Sequence, residues 1–210
     1  MIGRAPGPRG YHFQIFMRAD YAHGSVIHTN LAKLLLRRGY TTPPDKWDPS
    51  YRKTELDAVL TVVASETRTP CAVFISDGPN VNVAIARLVE QTMREENCVD
   101  TILVCHAVTS SASALFAELL KNGKYVVQIT PKELTFDLMS HSEVPPQFLL
   151  DDDEARRELS AYGVSKKQIA KIRLSDAVCR RLGAHLDDVI RVERRRVTVE
   201  RSISFRHVVL

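Results

Sequence analysis

Apolar residues at Ile27, Leu31, Leu34 and Leu35 fall at i, i+4, i+7 and i+8, a single stripe of an α-helix. Arg37 and Arg38 followed by Gly39 place cations beside the last carbonyls and a glycine beyond them, so the helix ends there. Residues 41–50, with Pro43 and Pro44 adjacent, are a turn-rich loop. The texture then changes to short β-branched runs at 57–63 and 71–76, which read as buried strands that pair with one another. Asp77 to Asn80 turn into a helix carrying Val81, Ile85, Leu88, Val89 and Met93 on one side and closed by the polar stretch 94–97. A strand at 101–107 follows. Next comes a helix capped by Ser110 or Ser111, with Leu115, Phe116, Leu119 and Leu120 as its stripe and Gly123 as its stop, and then a strand at 124–129.

This order, helix, strand, strand, helix, strand, helix, strand, predicts an α/β layer with helices over a mixed sheet. The two later crossovers are long enough for parallel pairing. Past Thr130 the periods shorten. The acids Asp151, Asp152 and Asp153 open a helix that ends at Gly163, which suits the helix dipole. A second short helix spans about Ser175 to Leu182, with Asp176 near its start and Gly183 beyond its end. Two β runs, residues 188–195 and 202–209, then form a hairpin in which Val189, Arg191 and Glu193 alternate with Ile190, Val192 and Arg194. The expected organisation is an N-terminal α/β domain with a mixed sheet over 1–135 and a small α+β C-terminal domain over 142–210.

Composition adds the class. A chain of 210 residues with 44% hydrophobic and 26% charged residues is an ordinary folded protein with a sizeable core. No apolar run approaches the roughly 20 residues that cross a bilayer, and the first ten residues lack the apolar stretch of a secretory signal, so cytosol or nucleus is expected and no membrane partner. The four cysteines (Cys71, Cys98, Cys105, Cys179) are scattered without a C-x-x-C pair and read as reduced, buried thiols. Cys98, Cys105 and His106 suggest a metal only superficially, because adjacent Cys105 and His106 point to opposite faces of a strand; no metal and no cofactor is expected.

Charge is polarised along the chain. Residues 133–160 hold eight acids against Arg156 and Arg157, whereas residues 164–210 hold twelve bases against five acids. A basic tail behind an acidic segment suits an acidic protein partner or nucleic acid, and equally suits solvated faces.

The motifs carry a resemblance. Residues 37–40 (RRGY), 78–83 (GPNVNV), 93–97 (MREEN) and 108–112 (VTSSA) run colinearly with Leu159 and Tyr162; Gln168, Ile169 and Ile172; Asp176, Ala177, Val178, Arg180 and Gly183; Val189, Ile190, Arg191, Val192 and Arg194; and Phe205 with Arg206. In that order they resemble the fifth subunit shared by eukaryotic RNA polymerases I, II and III, and the tail is similar to its small archaeal RNA polymerase counterpart. Ala170, Ala177 and Ser110 stand where the family has prolines. The hairpin turn keeps Thr198 and Arg201 but has lost its glycine, so it needs another turn geometry. These departures suggest a divergent member or a paralogue specialised to one polymerase.

The resemblance implies a non-catalytic subunit whose N-terminal domain is a jaw beside downstream DNA. Its C-terminal assembly domain would dock on the largest subunit, in the nucleus, or in the nucleolus if the copy serves polymerase I. Thr109, Ser110 and Ser111 sit where a strand meets a helix, so their amides and hydroxyls either hold a DNA phosphate or simply cap the helix. Any contact with double-stranded DNA is expected to be weak and sequence-independent. Val189, Arg191, Arg194, Arg201 and Arg206, with Arg195 and Arg196, offer strand packing and forked donors for a partner's carboxylates, or else solubilise an edge. Two rivals remain at this point. A metal-dependent nuclease of related fold is disfavoured because Asp45 and Lys46 lie in a loop and the strand at 71–76 carries neither Glu nor Lys. The other rival is a free-standing interaction module.

Overall fold

The computed structural model of the chain describes residues 24–40, 58–63, 69–76, 78–194 and 202–210. Helix α1 (Gly24–Arg37) comes first. Strands β1 (Ala58–Val63) and β2 (Cys71–Ser76) pair antiparallel in register, from Ala58 opposite Ser76 to Val63 opposite Cys71. A two-residue strand β3 (Asn80–Val81) leads into α2 (Val83–Glu95), capped by the Asn82 side chain, which accepts from the Ile85 amide. Then come β4 (Asp100–Val104), β5 (Ala107–Val108), α3 (Ser110–Lys121) and β6 (Tyr125–Ile129). The main sheet has the order β1-β2-β4-β6, with β2, β4 and β6 parallel, so it is mixed as its sequence requires.

Two boundaries differ from the pattern. The expected strand at 101–107 is broken after Val104, because β5 leaves the main sheet to pair in parallel with β3. For the same reason Val81 is a strand residue and does not belong to the helix stripe. In the core, Ala72, Phe74 and Leu103 of the sheet meet Val81, Ile85, Val89 and Met93, with Leu119 of α3 and the thiols of Cys98 and Cys105. Cys71, Val73, Ile102 and Val104, on the alternate positions of β2 and β4, are buried as well. A sheet buried on both faces explains why its strands read as continuous apolar runs without alternation.

The described residues form two compact units. Elements β1 to β6 make one; the other holds α1 together with everything from Pro131 onward. Position along the chain places α1 in the first domain, and its polar contacts explain why it groups with the second. Arg37 grips Asp137 with two bonds of 2.6 Å and also reaches Ser140, and the Asn30 amide donates to the Leu134 carbonyl at 2.8 Å.

Beyond two 3-10 turns at Pro131–Leu134 and Leu138–Ser140, the second unit contains β7 (Gln147–Leu150), α4 (Asp152–Ala161), β8 (Ala170–Arg173), α5 (Ala177–Leu182), β9 (Val189–Arg194) and β10 (Ser202–Val209). They form a sheet of order β7-β9-β10-β8, in which β10 pairs antiparallel with β9 and parallel with β8. The hairpin is therefore the middle of a four-stranded sheet; β7 and β8 lacked a visible pattern because each is only four residues long. Alternation along β9 serves two cores. Val189 packs with Leu150, Ala155, Leu159 and Phe205 under α4, whereas Ile190 and Val192 pack with Ile172, Val208 and the α5 residues Val178, Cys179 and Leu182. The acids 151–153 do what their position suggests: Asp151 caps α4 and Glu154 closes a capping box.

Arg38 is buried, and its guanidinium donates to the Arg180 carbonyl in the last turn of α5, where a helix leaves its carbonyls unpaired. Gly183, at φ +67°, ends that helix, and a Cβ there would lie 3.1 Å from the Arg38 side chain. Two demands, a left-handed backbone and a close approach, converge on one glycine.

Gly183→Ala should therefore cost more than the roughly 1–2 kcal/mol of a left-handed alanine alone, read as a lowered urea midpoint of the whole chain. Asp137 gives a pH signature. The Arg37 guanidinium, helped by the Ser140 hydroxyl and the Met139 amide, holds its carboxyl well below the ordinary range against the opposing effect of burial. Because the folded pKa is depressed, the stabilisation is complete above the unfolded value of about 4 and fades as pH falls further. The stability gap between wild type and Asp137→Asn, about 2 kcal/mol for a charge-assisted bond, should stay constant from neutral pH to about pH 5 and close in stronger acid, as followed by denaturant titrations.

Candidate partner and nucleic-acid interface

The junction between β5 and α3 is built by three backbone decisions. The Val81 carbonyl accepts from the Thr109 amide at 3.0 Å, which ties the junction to β3. Thr109 is then extended at φ −68°, ψ 155°, and its hydroxyl accepts from the Ala112 amide at 3.4 Å. The cap is thus Thr109, not Ser110 or Ser111, which occupy the first helical turn and are exposed. Capping uses the Ala112 amide and leaves those of Ser110 and Ser111 as open donors at the positive end of a 12-residue helix. Of the three consecutive residues, Thr109 is committed to capping and the two serines are exposed.

The basic residues of the hairpin separate into different roles. In the row of partners across β7, β9 and β10, Arg191 stands between Phe148 and Phe205. Its guanidinium reaches Glu158 of α4 at 2.5 Å and Glu193 at 3.2 Å, and lies 5.1 Å from the centre of the Phe148 ring. Tyr162 meets Phe205 edge-on at 5.4 Å on the same face. Arg191 is therefore engaged within its own unit, and Val189 is buried beside it. Arg194, at the end of β9, is exposed. Arg206 is half-buried opposite Ile190 and Ala170, and Arg201, Arg195 and Arg196 lie outside the described residues.

The sequence pattern did not single out β8. Lys171 and Arg173 are exposed on one face of this end strand, with exposed Lys167 just before it. The one available signal was Ile172, the single buried residue of Ala170–Arg173, flanked by cations two apart. Close by, Lys166 and His207 both bind Asp187, at 2.9 and 2.8 Å, and these bonds, Lys166 first, lower the Asp187 pKa.

The four cysteines are buried and none is joined in a disulfide. Burial pushes the thiols of Cys98 and Cys105 up to about 11 and that of Cys179 up to about 12, far from the thiolate a nucleophile or ligand needs. Cys98 and Cys105 flank opposite ends of β4, roughly 20 Å apart along an extended strand, and His106 is exposed while Cys105 is buried. Among the described residues no three metal-ligating side chains cluster. The strand Cys71–Ser76 has no acid or lysine to hold an ion, and Asp45, Lys46, Glu55 and Asp57 lie outside the described residues.

Comparison with known proteins adds the family. Residues 136–208, which carry β7 to β10 with α4 and α5, match the model of the RNA polymerase Rpb5 C-terminal domain. The chain is 35% identical over 74 residues to the DNA-directed RNA polymerase subunit Rpo5 of Methanothrix thermoacetophila, covering 35% of this chain and 95% of the relative. It is 32% identical over 76 residues to the Rpo5 of Archaeoglobus fulgidus, 36% of this chain and all of that one. A longer match, 27% identical over 136 residues, joins 64% of this chain to 69% of the Dictyostelium discoideum subunit rpabc1 of DNA-directed RNA polymerases I, II and III. A fold in which the matched stretch is a complete four-stranded sheet with its own cores, and relatives that consist of little else, place the chain in the Rpb5/Rpo5 family of RNA polymerase subunits.

Proposed function

We infer that this protein is a non-catalytic structural subunit of a DNA-directed RNA polymerase, associated with other subunits of that enzyme. The observation that carries the reading is the family match over residues 136–208, folded as a self-contained sheet around β9. The relatives give no support to a nuclease. As a homologue of a eukaryotic shared subunit it works in the nucleus, and a copy specialised to polymerase I would concentrate in the nucleolus.

The finer assignment is our proposal. The unit from β1 to β6 serves as a jaw beside downstream DNA, and the second unit is the assembly domain that docks on the largest subunit. The open amides and hydroxyls of Ser110 and Ser111 support a phosphate contact at the head of α3. With few cations in that unit, binding there is weak and reads no sequence. On the assembly domain, exposed Arg194 suits a partner carboxylate, while Arg191 acts indirectly by holding α4 to the sheet through Glu158.

A tagged full chain should recover the large polymerase subunits from nuclear extract, identified by mass spectrometry; a chain recovered alone would sink the assignment. The two arginines should also separate. Arg191→Glu places a like charge beside Glu158 and Glu193 and should lower the melting temperature of the isolated protein, with lost assembly as a consequence. Arg194→Glu should leave the melting temperature unchanged and reduce subunit recovery. Thermal melts paired with quantitative recovery distinguish the two.

A further inference from the structure

Most arginines of the second unit have partners inside it: Arg37 with Asp137, Arg180 and Arg181 with Glu133, Arg191 with Glu158. One edge departs from this pattern. Lys167, Lys171, Arg173 and Arg206 make no side-chain hydrogen bond or ion pair among the described residues. Two of them, Lys171 and Arg173, lie on β8, which ends its sheet, with β10 on one side and, among the described residues, no strand on the other. Of its residues only Ile172 is buried. The opposite end strand, β7, is different. Pro145 and Pro146 precede it, so an added strand could not extend its ladder past Gln147 on that end. Asp151 to Asp153 follow it.

An end strand leaves alternate backbone donors and acceptors unpaired along its outer side. Lys171 and Arg173 alternate with Ile172, so both point to the face shared with His207 and Val209, about 7 Å apart. On that face His207, the partner of Lys171 across the pair, binds Asp187, which Lys166 holds as well. An extended ligand with acids at alternate positions would supply both the backbone pairing and the charge complement. We propose that the outer edge of β8 receives an extended segment of another polymerase subunit as a fifth strand. That segment carries Asp or Glu at two alternate positions facing Lys171 and Arg173. This inference rests on the subunit reading above and specifies the chemistry of one contact. Backbone bonds supply the register, and the two carboxylates select the segment. Lysines on an end strand also serve simply to discourage pairing, and the experiment separates the two roles.

A photocrosslinking amino acid is placed at position 171 of the tagged full chain in cells, and the crosslinked peptide is identified after purification. In parallel the variant Lys171→Glu with Arg173→Glu is assayed for recovery of polymerase subunits and for its melting temperature. The expected result is a crosslink to a stretch of another subunit with Asp or Glu two residues apart, and a recovery at least tenfold lower for the reversed pair at an unchanged melting temperature. If the complex is recovered but position 171 crosslinks nothing, or reaches a stretch without acids, the β8 contact is refuted while the subunit reading stands. Wild-type recovery of the reversed pair refutes it equally. If no polymerase subunit is recovered at all, both fail together.

Discussion

The second unit depends on β9 being central. A strand whose alternate residues enter two different cores cannot shift register by one position without exchanging Val189 for Ile190 and moving Arg191 into an apolar layer. That constraint fixes β10, whose six paired positions follow from β9, and β10 in turn fixes β8. Helices α4 and α5 then have one apolar surface each to cover. The order of dependence runs from strand to sheet to helix.

The same geometry divides the positive charge. Arginine is fully protonated wherever it stands, so a half-buried one needs carboxylates or carbonyls around it. Arg191 has both Glu158 and Glu193 and an aromatic face, and Arg38 has the carbonyl end of α5. These cations are internal fasteners. Arg194 and the β8 pair, Lys171 and Arg173, carry the same charge into solvent. A basic count over residues 164–210 merges two populations that the sheet separates by face and by edge.

Much of this was legible along the chain, and the exceptions have physical causes. Long periodic segments were clear: the stripe of α1, the helices ending at Gly123 and Gly163, and the mixed sheet from its strand and helix order. The colinear motifs led to the family. Strands β7 and β8 were not visible because four residues make too few alternations to show a period, and both take their conformation from β9 and β10. The split after Val104 was hidden because β5 is apolar enough to look like a continuation of β4; only its pairing with β3 distinguishes it. The sequence does not distinguish Thr109 from its serine neighbours as the cap, since all three side chains can accept from an amide and the choice is made by where β5 ends. Arg191 read as a surface donor because its acid, Glu158, is 33 residues away.

The fork from Arg37 to Asp137 spans 100 residues of chain. At translation rates of about 5–20 residues per second, α1 waits roughly 5–20 s on the ribosome before its acceptor has even been made. The whole of the first sheet is synthesised in that interval. One unit can therefore mature while its sibling is still missing its latch, and a helix with an apolar stripe stands uncommitted meanwhile, the kind of delay in which a nascent chain benefits from a chaperone.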